Sequence, residues 1–144
     1  MRPTVHTLSA FVMLLSALLL ASCASTLGPV NDSLQKTQYA WAGAIRWGDF
    51  EGAWGVVDPA YRAANPLTDL EMERYQQVQI SSYRELASTA DLQGGYAGRD
   101  IEIGVINRHT LAERTVRYRE EWRYDAIDKQ WWLTSGMPDL WQGQ

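Results

Sequence analysis

Near Gln77 the hydrophobic pattern of this chain changes its period, and that change limits the fold to one class. Before it, apolar residues recur at helical spacing; after it, they alternate with polar ones. Helices that precede the strands, rather than interleaving with them, predict an α+β domain with helices packed on one face of an antiparallel sheet.

In the first half, Asp32 or Ser33 is expected to cap a helix from Leu34 to Trp47, with Leu34, Gln38, Trp41 and Ile45 on one face. Gly48 supplies a left-handed stop and Asp49 a new cap. Phe50, Trp54 and Val57 mark a second short helix, halted by Asp58-Pro59. Pro59 suits the first turn of a third segment, ending near Ala64 before Asn65-Pro66. Thr68-Asp69-Leu70-Glu71 reads as a capping box that opens one more turn.

In the second half, Val78, Ile80 and Ser82 alternate with Gln79, Ser81 and Tyr83, which predicts a strand from about Gln77 to Ala87. After a turn at Gly94-Gly95, Ile101, Ile103 and Val105 share a face. Thr115 to Tyr124 form the longest strand candidate, with Val116, Tyr118, Glu120, Trp122 and Tyr124 on one side and Thr115, Arg117, Arg119, Glu121 and Arg123 on the other. Such a contrast suits a sheet covered on one face, with the arginine side solvated. Asp125 to Gln130 make a hairpin loop before a last strand, Trp131 to Ser135. Leu34, Trp41, Ile45 and Val57 are expected to face Ile101, Ile103, Val105, Trp122 and Leu133.

A long helix, a Gly48-Asp49 step, a short helix, a proline-capped turn and a meander ending in EEWRYDAIDKQWWLTS resemble the nuclear-transport-factor-2-like, or cystatin-like, α+β cone. The resemblance covers about Leu34 to Ser135 and implies a curved antiparallel sheet of about four strands. Isomerases, hydrolases, ligand carriers and interaction domains share that fold, so it assigns no activity. The alternative architecture, two helices and a three-stranded sheet, resembles the small lipoprotein of the outer-membrane β-barrel assembly machinery.

The amino-terminal segment has a different character. Met1-Arg2 precedes an apolar run from Leu8 to Leu20, thirteen residues long. That is the length of a signal-peptide core and short of the ~20 residues that span a bilayer. The run closes on Leu20-Ala21-Ser22-Cys23, which contains the only cysteine of the chain. The tetrad resembles the lipobox of bacterial lipoproteins. The resemblance implies diacylglycerol on the Cys23 sulfur, cleavage between Ser22 and Cys23, and acylation of the new amino group with a fatty acid such as palmitate. An uncleaved membrane helix and a plain secretory peptide are the other readings of this segment. Several chains of acyl methylenes anchor stably, at about 0.8 kcal/mol for each one buried. Ala24 after the cysteine, where Asp retains many Gram-negative lipoproteins in the inner membrane, implies the outer membrane, with the domain facing the periplasm. The expected organisation is a signal peptide over residues 1–22, a lipidated tether over 23–31 and one domain over 32–144. The eight residues from Ala24 to Asn31, extended, would reach roughly 25–28 Å.

Beyond residue 22 the chain carries twelve basic and seventeen acidic residues. That balance argues against nucleic acid as a partner. With no thiol beyond Cys23, stability must come from packing. Seven tryptophans offer much of that packing, at about 150–250 Å² buried for each ring.

The residues for chemistry are sparse. His109 is the only histidine beyond the signal peptide and sits in a polar connection, Asn107 to Thr110. One histidine without a free thiol gives no expectation of a metal site, and no phosphate-binding glycine loop or other cofactor motif is present. Glu120 and Glu121 point to opposite faces of a strand and cannot cooperate as an acid–base pair. No catalytic residues are therefore expected. The reading for function is a non-catalytic binding or envelope-assembly module, with Trp141, Trp132 and Tyr118 as candidate contacts to an envelope protein or an apolar small molecule. The alternative is an isomerase or hydrolase that uses Tyr39, Tyr83, Tyr118 or Asp100 inside an apolar cone. A buried Asp or Tyr with perturbed ionisation in a deep cavity would favour the enzyme.

Overall fold

The structure, a computed structural model, describes residues 27–143. The lipobox, with Ser22 and Cys23, lies outside the described residues. Among the described residues helix α1 covers 27–47, followed by α2 (Phe50–Val56), α3 (Pro59–Ala64) and α4 (Asp69–Tyr75). Four strands follow among the described residues: β1 (Val78–Asp91), β2 (Tyr96–Asn107), β3 (Glu113–Asp125) and β4 (Gln130–Leu133). They pair in sequence order, all antiparallel. The fold is α+β with helices packed on an open four-stranded sheet, which sets aside the three-stranded alternative.

Local chemistry explains most helix boundaries. Gly48 ends α1 at φ +74°, and the Asp49 carboxylate accepts from Gly52 N at 2.9 Å to start α2. Asp58 caps α3 by accepting from Ala60 N at 2.8 Å, with Pro59 at the first position. Thr68 and Glu71 form the expected capping box of α4.

The first described turns of α1 differ from expectation. Residues 27–33 are helical, so the segment expected to serve as a tether up to residue 31 is helix from 27 onward, and neither Asp32 nor Ser33 caps it. The Ser33 hydroxyl instead donates to Val30 O at 2.8 Å. Val30 packs against the core and its carbonyl also accepts from Trp131 Nε1 at 3.1 Å. Tertiary packing outweighs the linker-like composition of Gly28-Pro29 here.

Strand β1 departs from simple alternation. It carries one extra residue between the pairs Ile80↔Val105 and Ser82↔Gly104, and another between Glu85↔Ile101 and Ala87↔Asp100. The first bulge moves Tyr83 onto the inner face opposite Ile103 and turns Ser82 outward, the reverse of the expected phase. The second restores the original phase.

The core joins the two layers as the apolar faces require. Leu34, Trp41, Ile45 and Val57 are buried against Ile101, Ile103, Val105, Trp122 and Leu133. Trp41 meets Trp122 edge-on, with ring centroids 6.2 Å apart. The seven tryptophans divide by position. Trp41, Trp122 and Trp131 are fully buried, Trp54, Trp132 and Trp141 are half-buried, and Trp47 stands 89% exposed at the end of α1.

The far edge of the sheet is tied to the helices. Val57 bridges in parallel to Leu133, and Asp58 N donates to Leu133 O at 2.8 Å. The Asp58 carboxylate accepts from Arg123 Nη2 at 2.7 Å, so Arg123 is an ion-pair partner as well as a partly solvated residue. Burial alone would raise the Asp58 carboxyl. Arg123 and the N–H groups of Ala60 and Tyr61 outweigh that and hold it below its ordinary value of 3.8.

Two outcomes follow from this packing. Trp41→Ala, at a fully buried ring, should cost about 3–5 kcal/mol in chemical denaturation. The Asp58 contribution is complete above pH 3.8 and is lost as the pH falls through the depressed folded value. Asp58→Asn keeps a cap but removes the charge. Its stability deficit against the wild type, measured by urea titration, should therefore be present at neutral pH and shrink in strong acid.

Candidate functional site

The inner face of the sheet carries charge in its middle. Alternation along β3 places Glu120 between Tyr118 and Trp122 on the core side, where it is fully buried. Register sets Arg99 of β2 directly across from Glu120, on the same face. The bulge in β1 adds Tyr83, and α1 adds Trp41. Four elements thus converge on one carboxylate.

Every acceptor position of Glu120 is taken. Oε1 accepts from the Tyr83 hydroxyl and from Arg99 Nη2 at 2.9 Å. Oε2 accepts from Arg99 Nε at 2.7 Å and from Trp122 Nε1 at 2.9 Å. Trp41 Nε1 donates to the Tyr83 oxygen at 2.9 Å, which ties α1 to the same cluster. A carboxylate holds about four lone-pair sites, so Glu120 has no position left for another donor. Burial opposes the charge on Arg99, but its hydrogen bonds to Glu120 and the Glu120 charge outweigh that and raise its pKa further. Burial, the Glu120 charge and the hydrogen bond to it all push the Tyr83 phenol upward.

Above this cluster a groove of about 370 Å³ opens between α1 and β1. Gln38, Tyr39 and Arg46 form its helical wall; Tyr83, Glu85 and Arg99 form the sheet side and floor. Arg46 donates to Tyr83 O at 2.8 Å and lies over the Tyr83 ring. Tyr39 is 82% exposed at the mouth. The groove continues along Leu34, Ser88 and Ala90 as a second hollow of about 320 Å³.

A larger hollow, about 520 Å³, lies by Gly98, Arg119, Glu121 and Thr134. The charges around it are largely engaged with one another: Arg119 pairs with Asp100 at 2.7 Å and approaches Glu121 at 3.7 Å. Elsewhere on the same outer face of the sheet, Arg84 and Arg117 share Glu102. The smaller α1–β1 groove has the stronger case as a site, because a buried charged cluster forms its floor.

The residues expected to make contacts do not form one patch. Tyr118 lies on the inner face of β3, where its hydroxyl donates to Gly136 O and lies 3.1 Å from Ser135 Oγ; burial raises its pKa. Trp132 is half-buried on the opposite face of the sheet, paired with Arg123. Trp141 packs edge-on against Tyr75, with Arg74 stacked 4.4 Å from its ring. Asp100 faces outward in the ion pair with Arg119, and His109 is exposed in the β2–β3 turn. Among the described residues, no three His, Cys, Asp or Glu side chains are grouped to hold a metal ion.

Sequence reasoning missed Arg99 and, apart from its face, Glu120. The signal was present: Arg99 stands two residues before Ile101 in the alternating face, and Glu120 stands between Tyr118 and Trp122. An ionic residue in each of two apolar stripes indicates an inner ion pair, provided the register sets them opposite.

No family model matches this chain, and neither does any curated protein. Solved structures do. One is a SEC-C motif containing protein from Rhodopseudomonas palustris, 16% identical, with a TM-score of 0.57 over 78% of this chain and 88% of that one. Another is a SEC-C motif containing protein from Psychrobacter arcticus, 10% identical, with a TM-score of 0.56. That match covers 76% of this chain and 62% of the other protein, so the present chain spans under two thirds of its length. The likeness is one of fold.

Glu120→Gln should destabilise the domain by about 3–5 kcal/mol, because it leaves the buried Arg99 charge with only the distant Glu85, at 3.4 Å, as counter-charge. The paired change Arg99→Met with Glu120→Leu should cost less than Glu120→Gln alone. A double-mutant cycle in urea measures both.

Proposed function

We propose that this chain is a bacterial lipoprotein, acylated on Cys23, whose domain is a non-catalytic binding module held at the periplasmic face of the outer membrane. The lipobox and the apolar run before it support the anchor. Among the described residues no helix is long and apolar enough to cross a membrane. The helix-on-meander arrangement is consistent with the nuclear-transport-factor-2-like cone, and we assign the domain to that group on the resemblance.

One observation carries the binding reading: the charged cluster at the floor of the α1–β1 groove is built around a saturated carboxylate. Glu120 can neither take a proton from a substrate nor offer one while Arg99, Tyr83 and Trp122 occupy it. The hydroxyl protons of Tyr83 and Tyr118 are committed to Glu120 and Gly136, and their raised pKa values keep them protonated. The groove therefore offers fixed donors and an aromatic wall, which suit recognition. The position of residue 27 in α1 also limits the distance to the membrane. The four residue steps from Cys23 span at most about 14 Å. An anchored groove would sit close to the lipid surface.

Cys23→Ala should abolish incorporation of labelled palmitate and leave the protein uncleaved or mislocalised; equal labelling of wild type and variant overturns the anchor. The acylated protein should show no turnover on ester, epoxide or ketosteroid panels. Turnover that disappears with Tyr83→Phe would move the assignment to the cone-pocket enzyme.

A further inference from the structure

We propose that the groove between α1 and β1 binds a small carboxylate on the outward edge of the Arg99 guanidinium, a place that the chain's own Glu85 holds when the groove is empty. The proposal deepens the binding-module reading and rests on it.

A guanidinium presents two forks of parallel N–H groups, and each matches the two oxygens of a carboxylate. Glu120 fills the fork made by Nε and Nη2, at 2.7 and 2.9 Å. The other fork, on Nη1 and the second N–H of Nη2, is served poorly. Nη1 has Glu85 Oε2 at 3.4 Å, and Nη2 has the Gln38 carbonyl at 3.4 Å. Both contacts lie beyond the usual range for charge-assisted bonds, about 2.7–2.9 Å. The Arg99 side chain is only 10% exposed, so water serves this edge poorly too. A nearly buried donor pair with two long contacts, opening into a hollow, is a site for an acceptor.

The surroundings define the ligand. Arg99 and Glu120 cancel, leaving Arg46 as a positive charge in the wall and Glu85 as a negative one at the rim. Glu85 is 44% exposed in its side chain and sits at the second bulge of the edge strand, next to open solvent. It shows that a carboxylate can approach Nη1, and its exposure allows it to leave. With Glu85 displaced, the groove carries one net positive charge, which selects a monoanion. The Tyr39 ring and Ala42 line the outer part, where an aromatic or alkyl stem fits within about 370 Å³. A planar monocarboxylate on an apolar stem satisfies each of these features.

Benzoate and its neutral isostere benzamide are the probes, titrated calorimetrically into the full acylated protein in nanodiscs, with empty nanodiscs as blank. Benzoate should bind and benzamide should not. Glu85→Gln, which removes the competing charge, should tighten benzoate by up to about fivefold, the upper end for a partly exposed ion pair. Arg46→Gln should weaken it. Glu85→Ala must agree in direction with Glu85→Gln, and thermal melts establish that each variant is folded. Benzamide binding as well as benzoate, or benzoate affinity unchanged by both Glu85 variants, overturns the proposal. So does the lack of benzoate binding by wild type and both variants. Palmitate labelling and the turnover panels read the anchor and the binding module separately, so loss of the carboxylate site leaves those conclusions standing on their own data.

Discussion

A single carboxylate, buried in the middle of the sheet, holds four elements of this domain in place. Glu120 has no contact with water, and a charge in that position is tolerated only when its hydrogen-bonding capacity is filled. The donors that fill it come from β1, β2 and β3, and α1 reaches the cluster through Trp41 and Tyr83. Each donor depends on a particular alignment. Arg99 faces Glu120 only in the observed β2–β3 register, and Tyr83 reaches it only because of the extra residue in β1. A one-residue slip would turn Arg99 to the other face of the sheet and leave Glu120 uncompensated. The ionic cluster thus penalises wrong registers in a way that an apolar contact would not.

The same cluster explains the shape of the domain's surface. Near Arg99 and Tyr83 the sheet presents polar groups to α1, and the helix carries Gln38, Tyr39 and Arg46 along that side rather than a continuous apolar stripe. A groove remains where the two layers are not joined by apolar packing. Toward the opposite edge the layers are closed by Val57, Leu133 and the Asp58–Arg123 pair. One edge of the sheet is locked to the helices and the other is open, and the under-coordinated guanidinium of β2 faces the groove at the open one.

Much of the secondary structure was legible because its causes are local. Gly48, Asp49, Asp58-Pro59 and the Thr68–Glu71 box act through neighbours a few residues away, and each ends or starts a helix where the chain indicates. The helical state of residues 27–33 was not legible, because Gly28-Pro29 resembles a linker and the contacts around Val30 come from Trp131, about a hundred residues later. The phase of β1 after Ile80 was likewise hidden. A bulge reverses which side chains face inward, and Ser81 and Ser82 do not announce which of them is the extra residue.

The sequence by itself determined the class of fold and the inward faces of β2 and β3. Periodicity and short motifs act over distances that a linear reading can span. Only the tertiary structure decided that Arg99 and Glu120 are partners, that Tyr83 joins them, and that Trp47 is left in solvent while Trp41, Trp122 and Trp131 are enclosed. Those outcomes depend on strand register and on how helices seat against the sheet. Residues far apart in the chain set both together, so no local pattern records them.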